Sequence, residues 1–214
     1  MDRSPIELET FHNVYNRGTD KRIVFNDVED YRRFILYLNI LNDIEIKSPT
    51  DGGISTEEET HNICPERLVN LIAFCLMPNH FHMLLHERIA GGISKFMQRL
   101  STAYTMYFNE KNERSGALFQ GRFKSKFVDS ELYLLKIIDY IHSNPKGLPG
   151  SLRGHEWSSY HYYCGENKFG YLLQPEALNE FTKIEMGEDY RKWLNSQNNF
   201  DEIEHLLIDN KTSK

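Results

Sequence analysis

Between Leu68 and Leu85 the chain is apolar almost throughout, and the break in that run, Pro78-Asn79, is the dipeptide of a turn. Leu68 to Met77 carries one polar residue, Asn70, and reads as a strand; His80 to His86 reads as the next one, and the two should pair. On an extended strand residues i and i+2 share a face. His80 and His82 therefore project side by side, with Phe81 on the opposite face.

Two imidazoles converging from one strand are half of a divalent-metal site, because histidine is the commonest metal ligand among titratable side chains. The plainer reading is a pair of partly exposed histidines. A buried face carrying both would need partners for their ring nitrogens, so the residues that complete the site must come from elsewhere in the chain.

Around this hairpin the periodicity lays out further elements. Phe11 to Gly18 alternates as a strand, with Val14 and Asn16 on one face and Asn13, Tyr15 and Arg17 on the other. After Asp27, a candidate N-cap, Tyr31, Phe34, Ile35, Leu38 and Leu41 are spaced as on an amphipathic helix. Residues 46–66, rich in Gly, Ser, Thr and Glu, read as a flexible surface insertion. Ile93 to Asn109 is a second helix by the spacing of Ile93, Phe96, Met97, Leu100 and Tyr104. Phe123 to Val128 alternates as a basic strand, and Glu131 to Ser143 is a third helix, capped by Asp129 or Ser130 and closed by Pro145, which disfavours helical geometry at Asn144. The order β-α-β-β-α-β-α is that of an α+β fold, a ferredoxin-like or RRM-like antiparallel sheet with helices on one face and the other open to a ligand. One domain over residues 8–150, a C-terminal aromatic and helical extension over 151–195 packed on it, and a weakly ordered tail over 196–214 suit a chain of 214 residues.

Charge narrows the partner. The net charge is −6, yet residues 88–128 hold 8 Lys and Arg against 2 acidic residues. A basic middle between acidic flanks permits a local anion site on an acidic protein. Arg122, Lys124 and Lys126 read as a phosphate track, with Arg99 and Lys95 either extending it or forming a solvated helix face; Phe119, Phe123 and Phe127 read as the core side of the same segment. Three cysteines without a Cys-x-x-Cys pair argue against a disulfide framework or a zinc ribbon. No apolar run is long enough to span a bilayer and the N-terminus lacks a signal segment, so a cytoplasmic protein with no membrane partner is expected.

On the third helix, at about 100° per residue, Leu134, Ile138 and Ile141 form the stripe that should bury against the sheet. Tyr140 falls opposite Ile138, with Lys136 four residues before it and Asn144 four after. It is either a boundary tyrosine or a covalent nucleophile, with Lys136 pairing a phosphate and Asn144 lending an oxygen to a metal on His80 and His82. Phenol, with a reference pKa of about 10, would need deprotonation during attack and an electrophile polarised by a cation.

Met77-Pro78-Asn79-His80-Phe81-His82, Phe119-Gln120-Gly121-Arg122-Phe123, Asp139-Tyr140-Ile141-His142-Ser143-Asn144-Pro145 and Trp157-Ser158-Ser159-Tyr160 together resemble the HUH-endonuclease single-tyrosine transposases, the insertion-sequence-200-like superfamily, and within it the REP-associated tyrosine transposase branch. The resemblance implies that His80, His82 and Asn144 hold Mg²⁺ or Mn²⁺, and that Tyr140 forms a 5′-phosphotyrosine on single-stranded or hairpin DNA. From their own positions in the chain, Lys136, Arg122, Lys124, Lys126 and Arg99 are the expected DNA contacts, and either a monomer or a homodimer is expected. The chain departs from the family in its net acidity, its 46–66 insertion and its acidic tail. The function expected is a metal-dependent single-strand DNA endonuclease and strand transferase, a transposase or a domesticated relative. The alternatives are a catalytically silent RRM-like nucleic-acid-binding protein and a metallohydrolase that uses water with Tyr140 as a bystander. His86 is read as a strand-end histidine, and His142, His155 and His161 as surface or aromatic-cluster residues.

Overall fold

The computed structural model describes residues 6–45, 66–147, 155–182, 184 and 186–196; the 46–66 insertion (apart from Glu66) and the tail beyond Ser196 fall outside them. The strands are β1 (Phe11–Arg17), β2 (Val69–Met77), β3 (His80–Glu87) and β4 (Lys124–Val128), in one antiparallel sheet of order β2-β3-β1-β4. The helices are α1 (Val28–Ile40), α2 (Gly92–Lys111), α3 (Glu131–Ser143), α4 (Tyr160–Tyr163) and α5 (Glu188–Ser196). The element order is the one the periodicity predicts.

The helix starts follow capping chemistry: Asp27 Oδ1 accepts from Asp30 N at 3.1 Å and Ser130 Oγ accepts from Tyr133 N at 3.3 Å. Pairing the two α1–α2 helices, Lys111 Nζ reaches Asp27, Glu29 and the fully buried Asp30. Gly92 opens α2 where a Cβ would stand 2.2 Å from the Leu68 carbonyl oxygen, so only glycine lets the helix approach β2 so closely.

The sheet divides two cores. Val14, Phe74, Leu76, Phe81, Met83 and Leu85 face α1 and α2. On the other face Phe11, Ala73, Cys75, Leu84 and Val128 meet Leu134, Ile137, Ile138 and Ile141 of α3, together with Tyr160, Tyr163 and Tyr190 of the C-terminal extension. A register shift between Leu71 and Ala73 lets Ile72 and Ala73 both join that second core. Thus α1 and α2 cover one face, and α3 crosses the face that carries the histidines.

Both sheet edges are managed. The β2 edge is covered by residues 157–159, through Leu76 N donating to Trp157 O at 2.9 Å and Ser159 N donating to Phe74 O at 3.0 Å. Trp157 also stacks on Tyr31, with centroids 4.9 Å apart, so this aromatic segment packs against α1. The β4 edge is short and carries Lys124 and Lys126.

Three local expectations are corrected. Asn144 keeps helical geometry (φ −50°, ψ −40°) despite Pro145, because α3 runs into a 3₁₀ turn over Asn144–Gly147 that takes proline at its start. Phe127 is 42% exposed, since the five-residue edge strand ends beyond the core, whereas Phe119 and Phe123 are buried. His155, read as a surface or aromatic-cluster histidine, is buried with its Nε2 2.8 Å from the Leu76 carbonyl oxygen, whereas His142 and His161 do lie against tyrosine rings.

Candidate active site

The register of β3 against β1 sets the stage. His80 lies opposite Arg17, His82 opposite Tyr15 and Leu84 opposite Asn13, so these side chains share one face. His82 is buried, and the Tyr15 ring stacks on it at 5.5 Å and 20°. The His80 and His82 rings stand edge to face, 5.3 Å apart.

Crossing this face, α3 brings Tyr140 edge-on to the His82 ring, with centroids 5.3 Å apart, and the residue that caps its C-terminus, Asn144, places Oδ1 3.2 Å from His80 Nε2. The separation of four residues puts both on one side of the helix. Asn144 Nδ2 donates to the Tyr140 carbonyl at 3.3 Å, which leaves Oδ1 to face the histidine.

On the far side of the His80 ring, Nδ1 meets Asn79 Oδ1 at 2.6 Å, while Asn79 Nδ2 donates to the Lys21 carbonyl at 3.2 Å. Both amide oxygens therefore point at His80, one at each ring nitrogen. A neutral imidazole has a single N–H. If Nδ1–H serves Asn79, the Nε2 lone pair faces the Asn144 lone pairs, an arrangement that a cation between them turns from repulsive to favourable.

The donor spacing suits such an ion, since two adjacent ligands of an octahedral Mg²⁺, each at roughly 2.1 Å, lie about 3 Å apart. Among the described residues no three His, Cys, Asp or Glu side chains come together as a metal site; beside His80 the structure offers the Asn144 amide oxygen. Cys75 sits opposite His82 in register, but burial pushes its thiol well above the usual range, which keeps it a neutral thiol and a poor ligand.

Residues 28–144 match the family model described as transposase IS200 like, 117 of the 214 residues, from the start of α1 to Asn144. The chain belongs to the IS200-like transposases. Among solved structures it is similar to that of the REP-associated tyrosine transposase bound to a REP hairpin, with 12% identity, 87% of this chain and 95% of that chain covered, and a TM-score of 0.48. No curated protein matches it.

In this IS200-like transposase the expected cations do not form one track. Lys124 and Lys126 pair with Tyr15 and Asn13 and share the histidine face, and Lys124 Nζ lies 5.9 Å from the Tyr15 ring centroid. Lys136, half-buried, is one turn before Tyr140 on α3. Arg122 instead lines a groove of about 760 Å³ between α2 and residues 117–123. Arg99 is 6% exposed and donates to the carbonyls of Leu41 and Asp43 at 3.3 and 2.6 Å, so it ties α2 to the end of α1 on the other side of the sheet and is not available to DNA.

Sequence reasoning passed over three residues of the site: Tyr15, Arg17 and Asn79. The first two carried a usable signal, because the strand face Asn13, Tyr15, Arg17 repeats the period of His80 and His82. Asn79 looked only like a turn residue. No helix among the described residues is long and apolar enough to cross a membrane.

Proposed function

We propose that this transposase is a metal-dependent single-strand DNA endonuclease and strand transferase that works through a 5′-phosphotyrosine on Tyr140. The observation that carries the reading is the placement of α3, which seats Tyr140 against His82 and Asn144 against His80 in the same chain. His80, His82 and Asn144 would hold the divalent ion, Mn²⁺ or Mg²⁺. When bound, the ion supplies Lewis-acid polarisation of the scissile phosphate and offsets the charge that builds on its oxygens.

The chain's own residues supply the rest. Tyr140 Oη forms a bond to phosphorus as the bond from phosphorus to O3′ breaks; the phenolic proton is lost to solvent and the departing O3′ takes one up, leaving a 3′-OH. Rejoining is the same reaction with a 3′-OH as attacker, and the phosphotyrosine conserves the bond, so no external energy source enters. Asn79 holds the His80 ring, Tyr15 backs the His82 ring, and Lys124, Lys126 and Lys136 offer positive charge to the strand on either side of the scissile phosphate. The substrate is single-stranded or hairpin DNA.

The test is incubation of wild type and Tyr140→Phe with labelled hairpin DNA and Mn²⁺. Wild type should give a covalent protein–DNA adduct and a 3′-OH product, and Tyr140→Phe neither. Cleavage by wild type without an adduct would instead mean a water-using hydrolase. Binding without cleavage would mean a silent nucleic-acid-binding protein.

A further inference from the structure

Behind the nucleophile helix lies a set of buried polar groups that the chemistry above does not use. Asp139 and His142, the residues one before and two after Tyr140, turn inward and are 2% and 0% exposed; Ser159 and Tyr190, from the C-terminal extension, are 0% and 1% exposed. A serine beside a histidine and a carboxylate invites comparison with a hydrolytic triad, but both Ser159 and His142 are sealed from solvent, so no substrate can reach them.

Either tautomer of His142 closes the same set of contacts. Tyr190 Oη meets His142 Nδ1, His142 Nε2 meets Ser159 Oγ at 2.7 Å, and Ser159 Oγ lies 3.2 Å from the Phe74 carbonyl oxygen and accepts from Phe74 N at 2.9 Å. Tyr190 Oη also lies 3.5 Å from Asp139 Oδ1. Phe74 is the β2 residue next to Cys75, the register partner of His82. The chain of hydrogen bonds thus links α5 to α3 and α3 to the strand beside the metal-binding pair.

We infer that Tyr190, His142 and Ser159 are positioning residues that fix α3 in the rotation and height at which Tyr140 faces His82, so that the C-terminal extension sets the rate of the chemical step without touching DNA. Apolar packing of Ile137, Ile138 and Ile141 holds the helix to the sheet but is non-directional. Directional bonds on both sides of one imidazole are what specify its rotation. A displacement of about 1 Å at a reacting atom is enough to cost on the order of a hundredfold in rate.

The inference rests on Tyr140 being the nucleophile, and one experiment separates the two claims. Full-length wild type and Tyr190→Phe, which keeps the ring and removes the hydroxyl, are mixed with labelled hairpin DNA and Mn²⁺. The rate constant and the final amplitude of adduct formation are read separately, alongside the DNA Kd. For Tyr190→Phe the rate constant should fall about tenfold or more, with amplitude and Kd within about twofold of wild type. An unchanged rate constant overturns the inference, as does a loss confined to the amplitude, which would report fewer folded molecules rather than a misplaced nucleophile. If Tyr190→Phe does not fold, Ser159→Ala is read by the same criteria. Wild type that gives no adduct overturns the proposed function and this inference with it.

Discussion

Replacing Asn79 by alanine removes the group that fixes the His80 ring and leaves every proposed metal donor in place. Its Oδ1, 2.6 Å from Nδ1, selects the tautomer whose Nε2 lone pair faces Asn144. Loss of such a supporting hydrogen bond costs about tenfold to a hundredfold in metal affinity, or about 1.4 to 2.8 kcal/mol. The position decides between the ends of that range. Asn79 and His80 are only half-buried, so water can take over Nδ1 in the variant, and the expected loss is nearer tenfold. The Lys21 carbonyl also loses its bond from Nδ2, worth about 1 kcal/mol of fold stability at most, which leaves the protein folded for the measurement. Isothermal titration of Mn²⁺ into wild type, Asn79→Ala and Asn144→Ala reads the effect without any DNA. An Mn²⁺ affinity of Asn79→Ala within twofold of wild type would refute the reasoning, and Mn²⁺ binding unaffected in Asn144→Ala would remove the proposed third ligand.

Three more outcomes are expected. Lys124→Ala and Lys126→Ala should each weaken single-stranded DNA binding and lower the salt slope by about 0.7, whereas Arg99→Ala should leave DNA affinity alone and lower the melting temperature, because Arg99 binds the Leu41 and Asp43 carbonyls. Lys111→Met should destabilise the fold by about 2 to 4 kcal/mol by stranding the buried Asp30 carboxylate, and adding Asp30→Asn should recover part of that loss in urea unfolding. Acid should destabilise the protein before its carboxylates titrate: burial lowers the pKa of His12 to about 4 and of His142 to about 3, so below pH 6.5 the unfolded chain binds protons that the folded one refuses. Stability from these two groups is full above pH 6.5 and falls by about 1.4 kcal/mol per pH unit for each as pH drops toward those values, which urea midpoints at pH 7, 6 and 5 will show.

The fold was legible because its strongest signals are local. Alternation in Phe11–Arg17, the turn at Pro78-Asn79 and the apolar stripe Leu134, Ile138, Ile141 each fix an element and its buried face without reference to the rest of the chain. What escaped depends on neighbours supplied by the fold. Arg99 has the composition of a DNA contact and becomes a carbonyl clamp only because α1 ends beside it. Asn144 stays helical before a proline because a 3₁₀ turn follows and its amide is held by the Tyr140 carbonyl. Of the site, the pattern supplied His80 and His82 as a pair, but their relation to Tyr140 is a matter of how α3 crosses the sheet, which no spacing along the helix specifies.

If His80, His82 and Asn144 hold an ion as proposed, that crossing would couple ion binding to the placement of Tyr140. Tyr140 and Asn144 sit four residues apart on one helical face, and Asn144 Nδ2 is bonded to the Tyr140 carbonyl, so the two cannot shift independently along the sheet. With an ion held by His80, His82 and Asn144, the last turn of α3 would be fastened to β3 and Tyr140 kept beside His82. The C-terminal hydrogen bonds act on the opposite face of that turn, through His142. The nucleophile helix is thus held from two sides, by the proposed ion in front and by Tyr190 and Ser159 behind. If so, the two supports should be thermodynamically coupled: weakening the rear one with Tyr190→Phe should also lower Mn²⁺ affinity, and by linkage Mn²⁺ should slow hydrogen exchange in the last turn of α3 more in wild type than in Asn144→Ala.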